Sequence, residues 1–245
     1  MARLSIDLNA DLGEGYPFDA QLMALISSAN VACGGHVGND ASMRSTVRLA
    51  REYGVTIGAH PSYPDREHFG RRSLDIDHAE LLASLIEQIS ALKKICAEEG
   101  VPLVYVKAHG MLYNDAARDP ALADVVIAAI HTVDPQLAVM VLAGSAMVGR
   151  AQTAGLRVIQ EAFVDRAYRD DGSLVPRSEP GAVLDDDAAA VNQALRFARQ
   201  SEVQTQSGKV LRLPVDSLCL HGDTPHALQF AQRLYNQLEL TQTRK

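Results

Sequence analysis

Seven short apolar runs recur along the chain, and most of them end in polar or glycine-rich residues that precede a helical pattern. In order they read LSIDLNAD, SANVACGGH, VTIGAH, LVYVKAHG, LAVMVLAGS, LRVIQEAF and DSLCLHGD, beginning at Leu4, Ser28, Val55, Leu103, Leu137, Leu156 and Asp216. Strands that alternate with helices in this way predict parallel βα units. Such units either close into a barrel or form an open, doubly wound sheet.

The two faces of the runs favour the barrel. In the first run the even-numbered positions are apolar, whereas the odd-numbered positions include Asp7, Asn9 and Asp11. In the fourth run Lys107 and His109 share one face and apolar residues form the other. A fully buried open sheet tends to be apolar on both faces. One polar face directed at an axis is typical of an α/β barrel with a site at its C-terminal mouth.

The pattern between the runs predicts one domain over residues 1–245, because no linker or change of composition interrupts it. Asn39 or Asp40 caps a helix that ends at Gly54, and Asp75 or Asp77 caps one that ends at Gly100. A small hairpin is predicted within residues 201–214, around Ser207-Gly208, before the last strand.

The composition and charge of the chain disfavour nucleic acid and membranes as binding partners. The net charge of −7 disfavours nucleic acid, since phosphate binding depends on clustered Lys and Arg. No apolar run approaches the ~20 residues that span a membrane. Cys33, Cys96 and Cys219 form no disulfide or CxxC pattern, and Asp7 and Asp11 interrupt any signal-peptide core. We therefore expect a cytoplasmic enzyme that binds neither nucleic acid nor membrane.

Four of the eight histidines stand at or just beyond strand ends: His36, His60, His109 and His221. Three aspartates do the same: Asp11, Asp165 and Asp223. Strand ends of a barrel meet at one mouth, so these groups should be neighbours suited to acid–base catalysis or to a divalent metal. A bound metal would take Asp11, His60 and His109, although no HExxH spacing supports it. The alternative for each residue is a turn cap.

Basic residues also fall on the predicted inner face and on two loops. Lys107 should point into the barrel and needs a carboxylate partner, with Asp7, Asp11 and Glu161 as candidates. It acts either as an anion-holding cation or as a structural ion pair. The loops PDREHFGRR and DRAYRDDGSLVPR follow strands and carry Arg66, Arg71, Arg166 and Arg177. Arginine forks suit a small anionic substrate, and salt bridges within the loops are the alternative.

One stretch has the glycine spacing of a P-loop but lacks the residues that bind phosphate and magnesium, which argues against a nucleotide site on this chain. Gly144 and Gly149 have P-loop spacing, but Arg150 and Ala151 stand where Lys and Ser or Thr are required. We expect a plain helix start there.

Six blocks in order resemble the successive signatures of the LamB/YcsF family: IDLNADLGEG, ANVACGGHVGN, IGAHPSYPDREHFGR, VKAHGMLYN, DRAYRDDGSLVPRS and CLHGDTPHAL, from Ile6 to Leu228. The resemblance implies a distorted seven-stranded (β/α) barrel akin to glycoside hydrolase and deacetylase barrels. It also implies the A component of an ATP-dependent 5-oxoprolinase, which opens 5-oxo-L-proline to L-glutamate with two partner subunits, B and C. ATP would be bound mainly by, or together with, those partners, and a homo-oligomer is left open.

The chain departs from the family pattern at GGHVGN, where GFHAGD is usual, so that Asn39 replaces an aspartate. We predict these catalytic residues: Asp11, His60, His109, Lys107, Asp165 and His221. We predict these substrate-binding residues: Asn9, His36, Arg66, Arg71, Arg166, Arg177 and Asp223. Two other interpretations are a metal-dependent deacetylase or amidohydrolase that acts alone, and a non-catalytic binding component.

Overall fold

A computed structural model describes residues 4–184, 186–220 and 227–240. The strands are β1 Leu4–Leu12, β2 Ser28–Ala32, β3 Thr56–His60, β4 Leu103–Val106, β5 Ala138–Leu142, β6 Val158–Phe163, β7 Glu202–Gln204, β8 Val210–Arg212, β9 Ser217–Leu220 and β10 Leu238–Leu240. The helices are α1 Asp19–Met23, α2 Asp40–Tyr53, α3 His78–Glu98, α4 Gly110–Ala116, α5 Pro120–Val133, α6 Ala146–Thr153, α7 Asp187–Gln200 and α8 Ala227–Gln237.

Seven parallel strands close into a barrel in the order β1-β2-β3-β4-β5-β6-β9. Ser217 of β9 lies in register with Asp7 of β1 on one side and with Glu161 of β6 on the other, which completes the closure. The prediction of a seven-stranded (β/α) barrel is therefore confirmed. Helices surround it, and their apolar faces form one large core with the outer face of the barrel.

The helix ends follow the capping chemistry of the sequence. Asn39, not Asp40, caps α2 and forms a reciprocal capping box with Ser42, while Gly54 ends the helix in the left-handed conformation at φ 66°. Asp77, not Asp75, caps α3. The substitution of Asn at position 39 is therefore compatible with the local fold, because Asn and Asp are equally good N-caps.

The inner face of the barrel is polar near β1, as the alternation predicts. Asp7 accepts hydrogen bonds from Ser28 Oγ, at 2.6 Å, and from Ser217 Oγ. Tyr105 fills the interior opposite Gly58, where an added Cβ would lie 2.1 Å from the Tyr105 ring. A glycine in β3 thus makes room for an aromatic ring from β4.

Two small elements complete the sheet structure. The segments β7 and β8 pair antiparallel, with Gly208 at φ 90° in the turn between them. The segment β10 pairs in parallel with the start of β1, with Leu238 opposite Leu4. The sequence pattern did not predict β10, because three residues are too few to show alternation. No helix in the described ranges is long and apolar enough to cross a bilayer.

Candidate active site

A pocket of about 610 Å³ opens at the C-terminal ends of the barrel strands. Five polar side chains lie at its floor: Asp11, Glu14, His60, Lys107 and His109. They come from the ends of β1 and β3 and from the residues that directly follow β1 and β4. The mouth of the barrel therefore collects groups that are far apart in the sequence.

Three of the four predicted histidines pack against one another. The rings of His36 and His109 stack with their centroids 3.6 Å apart and their planes at 4°. His60 meets both rings edge-on, at 4.8 Å from His109 and 5.7 Å from His36. His221 and Asp223 lie outside the described residues.

Backbone carbonyls hold the ring orientation of two of these histidines. His60 Nδ1 lies 2.9 Å from the Lys107 carbonyl, and His109 Nε2 lies 3.0 Å from the Phe69 carbonyl. Because a carbonyl only accepts, each of these nitrogens carries the proton. Phe69 presents its carbonyl from the left-handed region at φ 56°, which is unfavourable for a bulky residue and is found mainly where the surroundings enforce it.

The Asp11 carboxylate joins the ammonium and the imidazoles. Its Oδ1 accepts from Asn30 Nδ2 at 2.8 Å and from Lys107 Nζ at 3.1 Å. Its Oδ2 lies 3.3 Å from His60 Nε2. The two oxygens thus face different partners, and one of them is directed at the histidine cluster.

Burial keeps two of the three imidazoles neutral. It lowers the pKa of His36 to about 3, with a further contribution from His60, and it holds the pKa of His109 well below its usual value. Removing a cation from water disfavours the charged form of the ring. Neutral rings at this site can accept a proton or bind a cation.

Lys107 is buried and bridges two carboxylates. Its Nζ lies 2.8 Å from Glu161 Oε1 and 3.1 Å from Asp11 Oδ1. Burial alone would lower the pKa of Lys107, but the negative charges of Asp11 and Glu161 outweigh it and raise the pKa well above its usual value. Two of the three predicted partners are therefore observed, whereas Asp7 is held by serine hydroxyls instead.

Glu14 is a site residue that the sequence reasoning missed. Its Oε1 lies 3.0 Å from His36 Nε2 and 3.5 Å from His109 Nδ1. The flanking Gly13 and Gly15 both have positive φ, at 76° and 86°. A carboxylate between two glycines just after a strand was the available signal, because such a turn can direct a side chain back over the barrel mouth.

Three of the four predicted anion-binding arginines line the pocket, and the fourth is bound to a backbone carbonyl. Arg71, Arg166 and Arg177 line it, together with Arg118, which the sequence analysis did not select. Arg166 is also bound to its own loop, donating to the Val175 carbonyl at 2.6 Å, and burial lowers its pKa to about 10. Arg66 instead donates to the Gly38 carbonyl at 2.7 Å and is not among the described residues that line the pocket.

Three further predicted residues are not among the described residues that line the pocket. Asn9 is buried beneath the floor, where its Oδ1 accepts from Lys107 Nζ at 3.3 Å and from Asn30 Nδ2 at 2.7 Å. His36 lies behind His109. Asp165 follows β6 and is also absent from the described lining residues.

The sequence model of the LamB/YcsF family matches residues 6–245. The chain belongs to the LamB/YcsF family. It is 48% identical over 234 residues to proteins named as the A component of 5-oxoprolinase from two strains of Haemophilus influenzae, PittEE and 86-028NP, with 96% of each chain covered.

A solved structure of a lactam utilization protein from Thermus thermophilus has the same architecture as this LamB/YcsF chain. The TM-score is 0.91 at 39% identity, and the match covers 97% of this chain and 98% of that one. A structure titled as a putative cellobiose-phosphate cleavage protein from Enterococcus faecalis V583 matches with a TM-score of 0.55 at 13% identity, over 96% of this chain and 85% of that one. That second likeness shows the fold alone.

Proposed function

We propose that this chain is the A component of an ATP-dependent 5-oxoprolinase, which opens the lactam of 5-oxo-L-proline to L-glutamate together with partner subunits B and C. The observation that carries the proposal is the contact of Asp11 with His60, and of His60 with His109, at the floor of a pocket whose wall bears arginines. Relatives named for this activity over nearly the whole chain support it.

The reaction requires one bond to form and one to break. A water oxygen adds to the lactam carbonyl carbon, the carbon–nitrogen bond breaks, and the ring nitrogen takes a proton to become the amine of glutamate. Water must lose a proton and the nitrogen must gain one, and a positioned acid–base group can carry out both transfers. We assign this role to Asp11 and His60, with supporting roles for His109, Lys107, Asp165 and His221.

The arginines fit the charge of the substrate. Arg71, Arg118 and Arg177 line the pocket wall, where guanidinium groups would hold the substrate carboxylate or a phosphorylated form of the lactam. The pocket volume of about 610 Å³ exceeds what a single five-membered ring requires. The remaining space suits a phosphoryl group delivered from elsewhere in the complex.

ATP compensates for the poor electrophilicity of an amide carbonyl, because transfer of its terminal phosphoryl group to the lactam oxygen makes the ring carbon easier to attack. That phosphoryl group leaves as inorganic phosphate when the carboxylate of glutamate forms. We infer that the nucleotide is bound by the partner subunits or at an interface with them. The P-loop lysine is missing from the α6 region, and Arg150 there pairs with Asp124 instead. A cytoplasmic location follows from this proposal.

The test is a turnover assay on 5-oxo-L-proline that follows glutamate, run on the chain alone, with both partners, and with both partners and ATP. We expect glutamate only in the last mixture. Deacetylase activity of the chain alone would replace the proposal with a stand-alone hydrolase. Unchanged turnover after removal of His60 and His109 would give this chain a binding role only.

A further inference from the structure

Two buried imidazoles present their unprotonated nitrogens to each other. His60 keeps its proton on Nδ1 and His109 keeps its proton on Nε2, because each of those atoms faces a backbone carbonyl. His60 Nε2 and His109 Nδ1 are nevertheless only 2.9 Å apart. In the neutral rings both are acceptors, and two facing lone pairs at this distance repel each other unless an electrophile lies between them.

Two carboxylates converge on the same point. Asp11 Oδ2 lies 3.3 Å from His60 Nε2, and Glu14 Oε1 lies 3.5 Å from His109 Nδ1. One ligand atom from each of the four side chains falls within 4.8 Å of all the others. The cluster therefore contains two nitrogen and two oxygen acceptors rather than a single imidazole pair.

The spacing of these acceptors matches a small coordination shell. Bonds of about 2.0–2.1 Å to nitrogen and oxygen, arranged as a tetrahedron, place neighbouring ligands about 3.3 Å apart. The observed separations of 2.9, 3.3 and 3.5 Å lie on both sides of that value. The held N–H groups also match metal-binding histidines, which as a rule donate their second nitrogen to a carbonyl or carboxylate.

We propose that Asp11, Glu14, His60 and His109 form a binding site for a divalent first-row transition-metal cation, with Zn²⁺ as the best fit to two imidazoles and two carboxylates. Imidazole ligands favour this class over Mg²⁺ or Ca²⁺, which prefer oxygen. Lys107 does not block the site, because its ammonium contacts Asp11 Oδ1 and Glu161 while Oδ2 faces the imidazoles. A cation there would supply a Lewis acid at the pocket floor. In the loaded chain Asp11 and His60 would therefore act as its ligands, in place of the direct proton transfer assigned to them above.

A single proton shared by the two imidazoles is the rival occupant. A proton bridges two atoms and makes no use of Glu14, whereas a cation engages both carboxylates as well. The two alternatives therefore differ in what the loss of Glu14 does. The site does not depend on which reaction the pocket supports, so its test needs neither substrate nor partner subunits.

The experiment titrates Zn²⁺ into the chelator-treated chain by calorimetry and follows Co²⁺ binding by visible absorption. We expect one tight Zn²⁺ per chain and a cobalt spectrum of imidazole–carboxylate ligation. The isosteric change Glu14→Gln and the change His109→Ala should each weaken Zn²⁺ binding by about 100-fold or more, since even outer-shell changes cost about 10–100-fold. Mg²⁺ should show no comparable binding.

The matched control is His131→Ala, which removes a partly buried imidazole on α5 that contacts the Ala154 carbonyl and does not line the pocket, and which should leave Zn²⁺ affinity unchanged. Circular dichroism melting on the same samples separates lost ligation from lost folding. Folded Glu14→Gln that binds Zn²⁺ as tightly as the unaltered chain would overturn the four-ligand site, because Glu14 would then not be a ligand. Wild-type chain that binds no Zn²⁺ would overturn the proposal in favour of the shared proton between His60 and His109.

Discussion

Lys107 Nζ lies 2.8 Å from Glu161 Oε1 beneath the pocket floor, where both side chains are buried. The pair links β6 to the residue after β4 inside the barrel. A buried ion pair adds little stability compared with apolar packing, but removing one partner leaves an uncompensated charge.

Lys107→Met should therefore lower the free energy of unfolding by about 3–5 kcal/mol, because it leaves Glu161 buried without its ammonium. Lys107→Met combined with Glu161→Gln should recover part of that loss. Denaturant unfolding of the wild type, the single variant and the double variant measures these differences. Lys94→Met is the control, since its exposed i,i+4 pair with Glu98 should matter by less than about 1 kcal/mol. An equally stable Lys107→Met would contradict a structural role for the ion pair.

Asp11→Asn and His60→Ala should each reduce turnover of the reconstituted complex by about 10²–10⁴-fold, the usual cost of losing acid–base catalysis. Melting temperature is measured on the same samples so that lost folding is not mistaken for lost chemistry. His131→Ala, on α5 and not among the described residues that line the pocket, should turn over normally. Folded variants within a factor of about three of wild type would place the chemistry elsewhere.

Arg71→Gln should raise KM for 5-oxo-L-proline about tenfold with a smaller effect on kcat. A hydrogen bond to a charged group contributes about 1.5–3 kcal/mol. When that contact is lost equally from the substrate complex and the transition state, KM rises and kcat changes little. Arg72→Gln is the control, because Arg72 is the adjacent arginine and is not among the described residues that line the pocket. An equal rise in KM for both variants would indicate a general electrostatic effect rather than a specific contact.

The isolated chain should bind ATP no more tightly than about 1 mM by calorimetry. Helix α6 begins at Ala146 without a side-chain cap, and Arg150 in it pairs with Asp124. No lysine stands where a P-loop needs one to grip phosphate. Micromolar binding by the chain without its partners would disprove this assignment of the nucleotide.

The contribution of Asp7 to the free energy of unfolding should fall as pH rises. Burial, opposed by hydrogen bonds from Ser217 and Ser28, raises the pKa of Asp7 from 3.8 to about 6. The folded state therefore holds the proton at pH values where the unfolded state has lost it, so this contribution is full below about pH 4 and is lost through about pH 6. The difference of roughly two pKa units corresponds to about 3 kcal/mol.

The measurement is the free energy of unfolding of wild type and of Asp7→Asn between about pH 4 and pH 7. The variant, which has no proton to lose at this position, should gain about 3 kcal/mol relative to wild type across that range. A difference between the two proteins that is constant with pH would show that Asp7 titrates normally.

The sequence predicted the barrel because strand faces and helix caps are local. Alternation in β1 and β4 assigned Asp11, Lys107 and His109 to the inner face, and the structure places all three at the pocket floor. The capping residues were equally readable, although the choice between Asn39 and Asp40 required the backbone geometry. The family was also evident, because its six signature blocks are contiguous in the sequence.

Only the tertiary structure decided which of the residues at the barrel mouth contact one another, and through which atoms. Arg66 and Arg71 belong to one loop, yet one is bound to the Gly38 carbonyl and the other lines the pocket. Glu14 joined the site through a turn whose direction depends on two positive-φ glycines. The facing nitrogens of His60 and His109 depend on carbonyls from Lys107 and Phe69, and backbone acceptors carry no residue signature in a sequence.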